Sequence, residues 1–348
     1  MTELHLENLT AAIEEQLRQK PFSGVIHISH QGKEVFSHAY GLANRSDNLP
    51  NRLNTRFGIA SGGKVFTAAA IAQLAQEGKL SLEQPLSEFL DGALPLLDPT
   101  VTLKHLLSHT SGVPDYFDEE VEDDYEAYWK DKPVYNMRSA ADFIALIRDL
   151  PMKFTPGDHF AYNNAGFVLL GAVVEKVTGK RFQDYVEERV FGPAWMRSSG
   201  YFFSDRMPAD CAHGYIEETD GSWRSNLFAV PVVGHGDGGT FTNAADMGRF
   251  WKAFFEKTYF KEELLAEMIT PQAKVSEDGV YQYGLGLWIN DVAPERFYYV
   301  VGDDPGVNFL SGVYPKSGLQ ITLLANGNDA LWPLHKVIRA EIFRLGES

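Results

Sequence analysis

Phe57-Gly58-Ile59-Ala60-Ser61-Gly62-Gly63-Lys64-Val65-Phe66-Thr67-Ala68 is the stretch around which the rest of the chain organises. Val65, Phe66, Ala69, Ile71, Ala72 and Ala75 recur at helical spacing. They predict a helix with a broad buried face, from Ser61 to about Glu77, stopped by Gly78. On such a helix positions i and i+3 share a face, so Lys64 comes within reach of the Ser61 hydroxyl. Ser61 stands at the amino end, where free N–H groups and the helix dipole favour negative charge. Gly62 and Gly63 each cost roughly 1 kcal/mol against alanine in a helix, but they let another group approach closely.

Outward from this helix the pattern is mixed. Residues 3–19 read as an amphipathic helix, and Gly24–His30 and Glu34–Tyr40 as strands joined by a tight turn. Between residues 80 and 190 the chain is mostly helical, with helices over Leu103–His109, Ser139–Asp149 and Ala165–Thr178, the last stopped by Gly179. Asp118–Asp131 reads as an acidic, aromatic loop. Beyond residue 200, Tyr201–Phe203, Tyr283–Ile289, Phe297–Val301, Leu310–Tyr314 and Gln320–Ala325 read as strands. Helices are expected over Ala244–Glu256, Lys261–Met268 and Trp332–Arg344. The expected architecture is a discontinuous α/β domain, residues 1–78 and 195–348, with a helical insertion, residues 79–194, and the active site between them.

Ser61 and Lys64 alone fit an N-cap and a surface lysine equally well, and about one Ser-x-x-Lys arises by chance in a chain of this length. Tyr162-Asn163-Asn164 adds a second element. A lysine ammonium beside Tyr162 would stabilise a phenolate and make it a general base, or the two would share one proton. The Asn164 amide could hold Lys64 and a substrate carbonyl. The same Asn pair is also a good helix start before Ala165.

Ser-x-x-Lys followed about a hundred residues later by Tyr-x-Asn resembles the penicillin-recognising serine hydrolases, in the branch of class C β-lactamases, D,D-peptidases and related esterases. His105-Leu106-Leu107-Ser108-His109-Thr110-Ser111-Gly112 up to Tyr116, Pro156 to Gly166, Gly236 to Asp246, Tyr283 to Trp288 and Pro315 to Leu319 continue the resemblance in order. It implies an antiparallel sheet flanked by helices, Ser61 as nucleophile, and Lys64 and Tyr162 as the general-base set. It also implies Asn164 at the substrate, and the backbone N–H groups of Ser61 and Asp303 as oxyanion donors. The family's third element, a cation two residues before a glycine, aligns with Val300-Val301-Gly302, so the cation is replaced by Val300. His235 is a candidate to supply it, or a solvated loop histidine. The expected substrate is a small or peptide-like ester, amide or β-lactam; the alternative is a silenced penicillin- or peptide-binding module.

Composition narrows the field. The 348 residues are 44% apolar and 22% charged, ordinary for a globular enzyme. A net charge of −16 without a basic stripe argues against nucleic acid as a partner. No apolar run is long enough to span a membrane, and the first twenty residues lack a signal-like pattern, so a cytoplasmic location is expected. The single cysteine, Cys211, excludes an internal disulfide and a multi-cysteine metal site. No cofactor is expected. His105 and His109 lack the glutamate of a metal-binding HExxH and are expected to be structural. Ser46-Asp47-Asn48 and Lys316-Ser317-Gly318 imitate other motifs of such hydrolases but sit in turns.

Overall fold

The computed structural model describes residues 5–122, 124–292, 294–327 and 331–344. Eight antiparallel strands form one sheet. Their order is Lys33–Tyr40, Gly24–His30, Leu319–Ala325, Val307–Tyr314, Phe297–Asp304, Trp288–Asn290, Tyr281–Tyr283, Ala273–Lys274. The chain thus begins and ends its sheet side by side, with Val25 opposite Leu324 and Ile28 opposite Ile321. Residues 79–194 supply helices and turns and no strand of this sheet among the described residues.

Alternation along the strands builds two cores, because successive side chains point to opposite faces. Ile26, Ile28, Leu310, Ile321 and Leu323 face the terminal helices Leu9–Gln19 and Leu331–Phe343. Val25, Phe309, Val313 and Leu324 face the other side, where one apolar cluster runs through the helices of both chain segments. At its centre lies the helix Lys64–Gln76, in which every residue from Lys64 to Leu74 is buried. Phe66 packs edge-on to Phe191 and Phe250, each at 4.9 Å between ring centres. Hydrophobic burial at about 25 cal/mol per Å² makes such a helix a main contributor to stability. No described helix is long and apolar enough to cross a membrane.

Several expectations need correction. The helix begins at Lys64, not Ser61; Ala60–Gly63 forms a 3₁₀ turn. Residues 5–8 are not helical, and the start of the expected 3–19 helix lies outside the described residues. Tyr201–Phe203 forms no strand; only Gly200 makes a bridge, to Phe241. Tyr283–Ile289 is two strands, because the chain turns at Gly284-Leu285-Gly286. Gly286 has φ +84°, and a side chain there would strike Ala68. The acidic stretch 118–131 contains the short helix Tyr125–Tyr128 and is tied down by ion pairs, Lys153 to Asp118 at 2.7 Å and Arg224 to Glu126 at 2.5 Å.

Candidate active site

Ser61 sits in the 3₁₀ turn just before the buried helix. In that geometry i and i+3 side chains eclipse, which places Lys64 directly over Ser61. The turn is strained: Ala60, a residue with a Cβ, has φ +44°. Two neighbours hold it. The segment Gly236–Thr240 crosses it, with Gly239 N–H donating to Ala60 O at 3.1 Å and Ile59 N–H to Thr240 O at 2.9 Å. On the other side, the strand Phe297–Asp304 lies backbone against backbone. A Cβ on Gly302 would fall 2.0 Å from Ile59 O, so only glycine fits.

Lys64 is 2% exposed. Its Nζ donates to Ser61 Oγ at 2.9 Å, Asn164 Oδ1 at 2.8 Å and the main-chain oxygen of Asp237 at 2.8 Å. An ammonium has three hydrogens, and all three are used. Asn164 and Asp237 offer only acceptors. If Lys64 loses a proton, it therefore keeps two hydrogens on them and turns its lone pair to the Ser61 hydroxyl. Burial lowers the Lys64 pKa, while the carboxylates of Asp237, Glu119, Asp115 and Asp304 pull it the other way.

The Tyr162 ring centre lies 4.9 Å from Lys64 Nζ, and its phenol is close enough to Ser61 for the hydroxyl to act on it. The expected phenolate does not fit this setting. Burial and the charges of Glu119, Asp237 and Asp115 hold the phenol well above its ordinary range, and these outweigh the lowering influence of Ser61. A motif of two residues points to a lowered tyrosine; burial first, and then the carboxylates brought in by the fold, reverse the direction.

Residues 105–117 clamp the Tyr162–Asn164 segment. Ala161 N–H donates to His109 O at 2.9 Å, and Asn163 N–H to His109 Nδ1 at 3.0 Å. Asp115 accepts the N–H groups of Asn164 at 2.5 Å and Ala165 at 3.0 Å, opening the helix Asn164–Thr178. The His109 ring lies 4.3 Å from the Tyr162 ring. His105 caps its own short helix: it donates from its N–H to Thr102 Oγ1 at 3.3 Å and accepts the Thr102 N–H at Nδ1. No group of three or more potential metal ligands converges among the described residues.

The remaining candidates divide. Asn164 reaches the centre, bridging Lys64 and, through Nδ2, Glu119 at 3.0 Å. Gly302 and Asp303 line a cavity with Ser61. Val300 does not reach it: strand alternation turns it into the helix-side core, 3% exposed. His235 is no solvated loop residue. It is 2% exposed, its ring 4.9 Å from Phe182, packed on Gly171 and 3.9 Å from Glu175. Cys211 is half-buried, and burial pushes its thiol up to about 11, which leaves it inert as a nucleophile. The structural role expected of His109 is the clamp described above; sequence reasoning missed roles for Asp115, Glu119, Asp237 and Asp304. Asp115 and Asp237 stand inside quoted stretches and Glu119 inside the acidic stretch 118–131, so a signal existed; Asp304, two residues beyond the aligned Gly302, was assigned no role.

Comparison with known proteins bears on the whole arrangement. A family described as Beta-lactamase matches residues 9–342. The chain is similar to the solved structure of a penicillin binding protein from Bacillus halodurans, with 44% identity and a TM-score of 0.90 over 94% of this chain and 99% of that one. It is 26% identical to a penicillin-binding protein of Bacillus subtilis strain 168 over 84% of this chain and 64% of that protein. It is 27% identical to a D-aminopeptidase of Brucella anthropi over 82% of this chain and 54% of that protein. The chain thus spans between about half and two thirds of the length of these two curated relatives. With the family match running through nearly all of its length, the protein belongs to the beta-lactamase family.

Proposed function

We propose that the protein is a serine hydrolase working through an acyl-enzyme on ester or amide carbonyls. One observation carries this reading: Lys64 Nζ lies 2.9 Å from Ser61 Oγ, with Asn164 and the Asp237 carbonyl holding its other two hydrogens. Neutral Lys64 takes the Ser61 proton as Oγ attacks the carbonyl carbon. The backbone N–H groups of Ser61 and Asp303 are the donors for the oxyanion, each worth typically ~2.7–4 kcal/mol. The carbonyl–leaving-group bond then breaks. Tyr162, held as a phenol, gives its proton to the leaving group and regains one from the Lys64 ammonium. Water cleaves the acyl-enzyme by the same route in reverse. The D-aminopeptidase name of one relative fits an amide carbonyl.

With Val300 in the core and no cation in its place, a substrate carboxylate lacks a charge-assisted bond of roughly 1.5–3 kcal/mol. Weak β-lactam turnover is therefore expected. Intact-mass spectrometry after a fluorophosphonate tests the core claim: one adduct mapped to Ser61, and none in Ser61→Ala. Full turnover in Ser61→Ala would overturn it. Nitrocefin and p-nitrophenyl butyrate, assayed side by side, test the preference; efficient nitrocefin hydrolysis would refute it.

A further inference from the structure

Ser61 lies where two cavities meet, one of about 1000 Å³ and one of about 220 Å³. Glu119 and Asp303 line both, and Asp237 and Asp304 line the larger. These carboxylates come from three separate segments and converge on a cleft already defined by its nucleophile. The nearby cations are committed elsewhere. Lys64 has given its three hydrogens to Ser61, Asn164 and the Asp237 carbonyl. Arg224, whose partner Glu126 lines the larger cavity, is held by Glu126 and Glu218, and Lys153 by Asp118 and Glu120; of the two histidines that line this cavity, His213 and His235, the second is buried 3.9 Å from Glu175.

The wall beside Asp237 and Asp304 is aromatic. Tyr116 Oη donates to Asp237 Oδ2 at 2.5 Å, and Tyr125, close enough to feel both carboxylates, lines the same cavity. The Phe117 ring meets Tyr125 edge-on at 4.9 Å and also faces the cavity. Carboxylates set against π faces are the chemistry that holds an organic ammonium. A metal ion is the poorer fit, since no three ligand side chains converge among the described residues.

We infer that the substrate carries an ammonium group, seated in the larger cavity between Asp237 and Asp304 against Tyr125, while its carbonyl meets Ser61. This rests on the hydrolase reading above and names the substrate class of that same site. Without such a guest, burial and the neighbouring carboxylates push Asp304 up to about 8 against the opposing pull of Lys64, and an ammonium seated beside it would draw it down. The same charges repel a substrate carboxylate.

The test uses p-nitroanilides in isosteric pairs. Alanyl, as both enantiomers, is set against isobutanoyl, and 4-aminobutanoyl against pentanoyl, so that –NH₃⁺ replaces –CH₃ two or four bonds from the carbonyl carbon. Succinyl supplies the anion. The expected result is a kcat/KM ratio of cation to isostere of roughly tenfold or more for at least one pair. Added salt should lower that ratio, Asp304→Asn and Asp237→Asn should bring it towards one, and succinyl should be the poorest substrate. Ratios at or below one for every pair, with Ser61 still labelled by fluorophosphonate, overturn this inference and leave the hydrolase reading standing. A ratio unchanged in both folded variants overturns the seat. Failure of the fluorophosphonate to label Ser61 overturns both readings together.

Discussion

Gly302→Ala is the substitution for which the structure gives the sharpest number. An added Cβ would lie 2.0 Å from Ile59 O and 2.9 Å from Gly62 N, where ordinary contact begins at 3.4 Å. The seam between the serine turn and the strand must therefore open by about 1.4 Å. Neither side yields easily. Ile59 O already accepts the Gly62 N–H at 2.8 Å, and Gly302 is in register with Phe309 inside the ladder. The two proposed oxyanion donors stand on opposite sides of that seam, Ser61 in the turn and Asp303 in the strand. Opening it removes one of them from hydrogen-bond range, so kcat on a neutral ester should fall about 10²–10³-fold. Overpacking adds a stability loss of about 1–3 kcal/mol, a Tm drop of roughly 1.5–4 °C for a chain of this size. Gly78→Ala is the control: its φ is +69° but nothing lies within 4 Å, so it should lower Tm and leave kcat unaltered. Esterase kinetics with a thermal melt on both variants decide the matter. Gly302→Ala with kcat within about threefold of wild type would falsify the assignment of the seam to the oxyanion site.

Three further outcomes can be measured. Lys64→Arg keeps a cation that cannot lose its proton, so kcat/KM should fall about 10²–10⁴-fold. In the wild type kcat/KM should rise with pH, with an apparent pKa below the usual lysine range, because burial lowers Lys64. Near-normal activity in the arginine variant would eliminate Lys64 as the base. At His109, whose φ is +56°, Asn tolerates the backbone and can still accept the Asn163 N–H, whereas Ala does neither. Urea unfolding should rank wild type above His109→Asn above His109→Ala, the last lower by about 2–4 kcal/mol; equal midpoints would contradict the clamp. Asp304 has a folded pKa raised from 3.8 to about 8, so it binds a proton more tightly folded than unfolded. Its stabilising share is whole below pH 4 and is lost as pH climbs to 8. Asp304→Asn should raise stability at pH 8 by about 1–3 kcal/mol, discounted because the group faces an open cavity, with little change at pH 4. A melting curve shifted equally at both values would show that its charge is not the cause.

What was legible in the sequence follows the range of the forces involved. The helix Asn164–Thr178 was readable because its signals are local: an Asn163 side chain taking the Gly166 N–H, and a left-handed Gly179 at the far end. The strand Gly24–His30 was readable from its bounded run of β-formers, but its pairing with Leu319–Ala325, some three hundred residues away, is non-local and came only with the structure. The break at Gly284–Gly286 was hidden because Gly-Leu-Gly-Leu imitates strand alternation, and the cause of the turn, Ala68 in a helix two hundred residues away, is non-local. The Ser61–Lys64 pair was found for a slightly wrong reason, since a 3₁₀ turn rather than an α-helix aligns them.

Of the charge of the site, only the acidic stretch 118–131 was legible. A total of −16 says nothing of where the carboxylates gather, and Glu119, Asp237 and Asp304 become neighbours of Lys64 only when three segments meet. That gathering decides the chemistry. Lys64 and Tyr162 by themselves predict a phenolate base; burial and the acids together raise Tyr162, whereas burial lowers Lys64 against the pull of the same acids, which favours the base assignment proposed above. The carboxylates that help hold the Tyr162 proton are also the ones proposed to set the sign of what the cavity admits. Base assignment and substrate charge are therefore one electrostatic question, answered by the same few side chains.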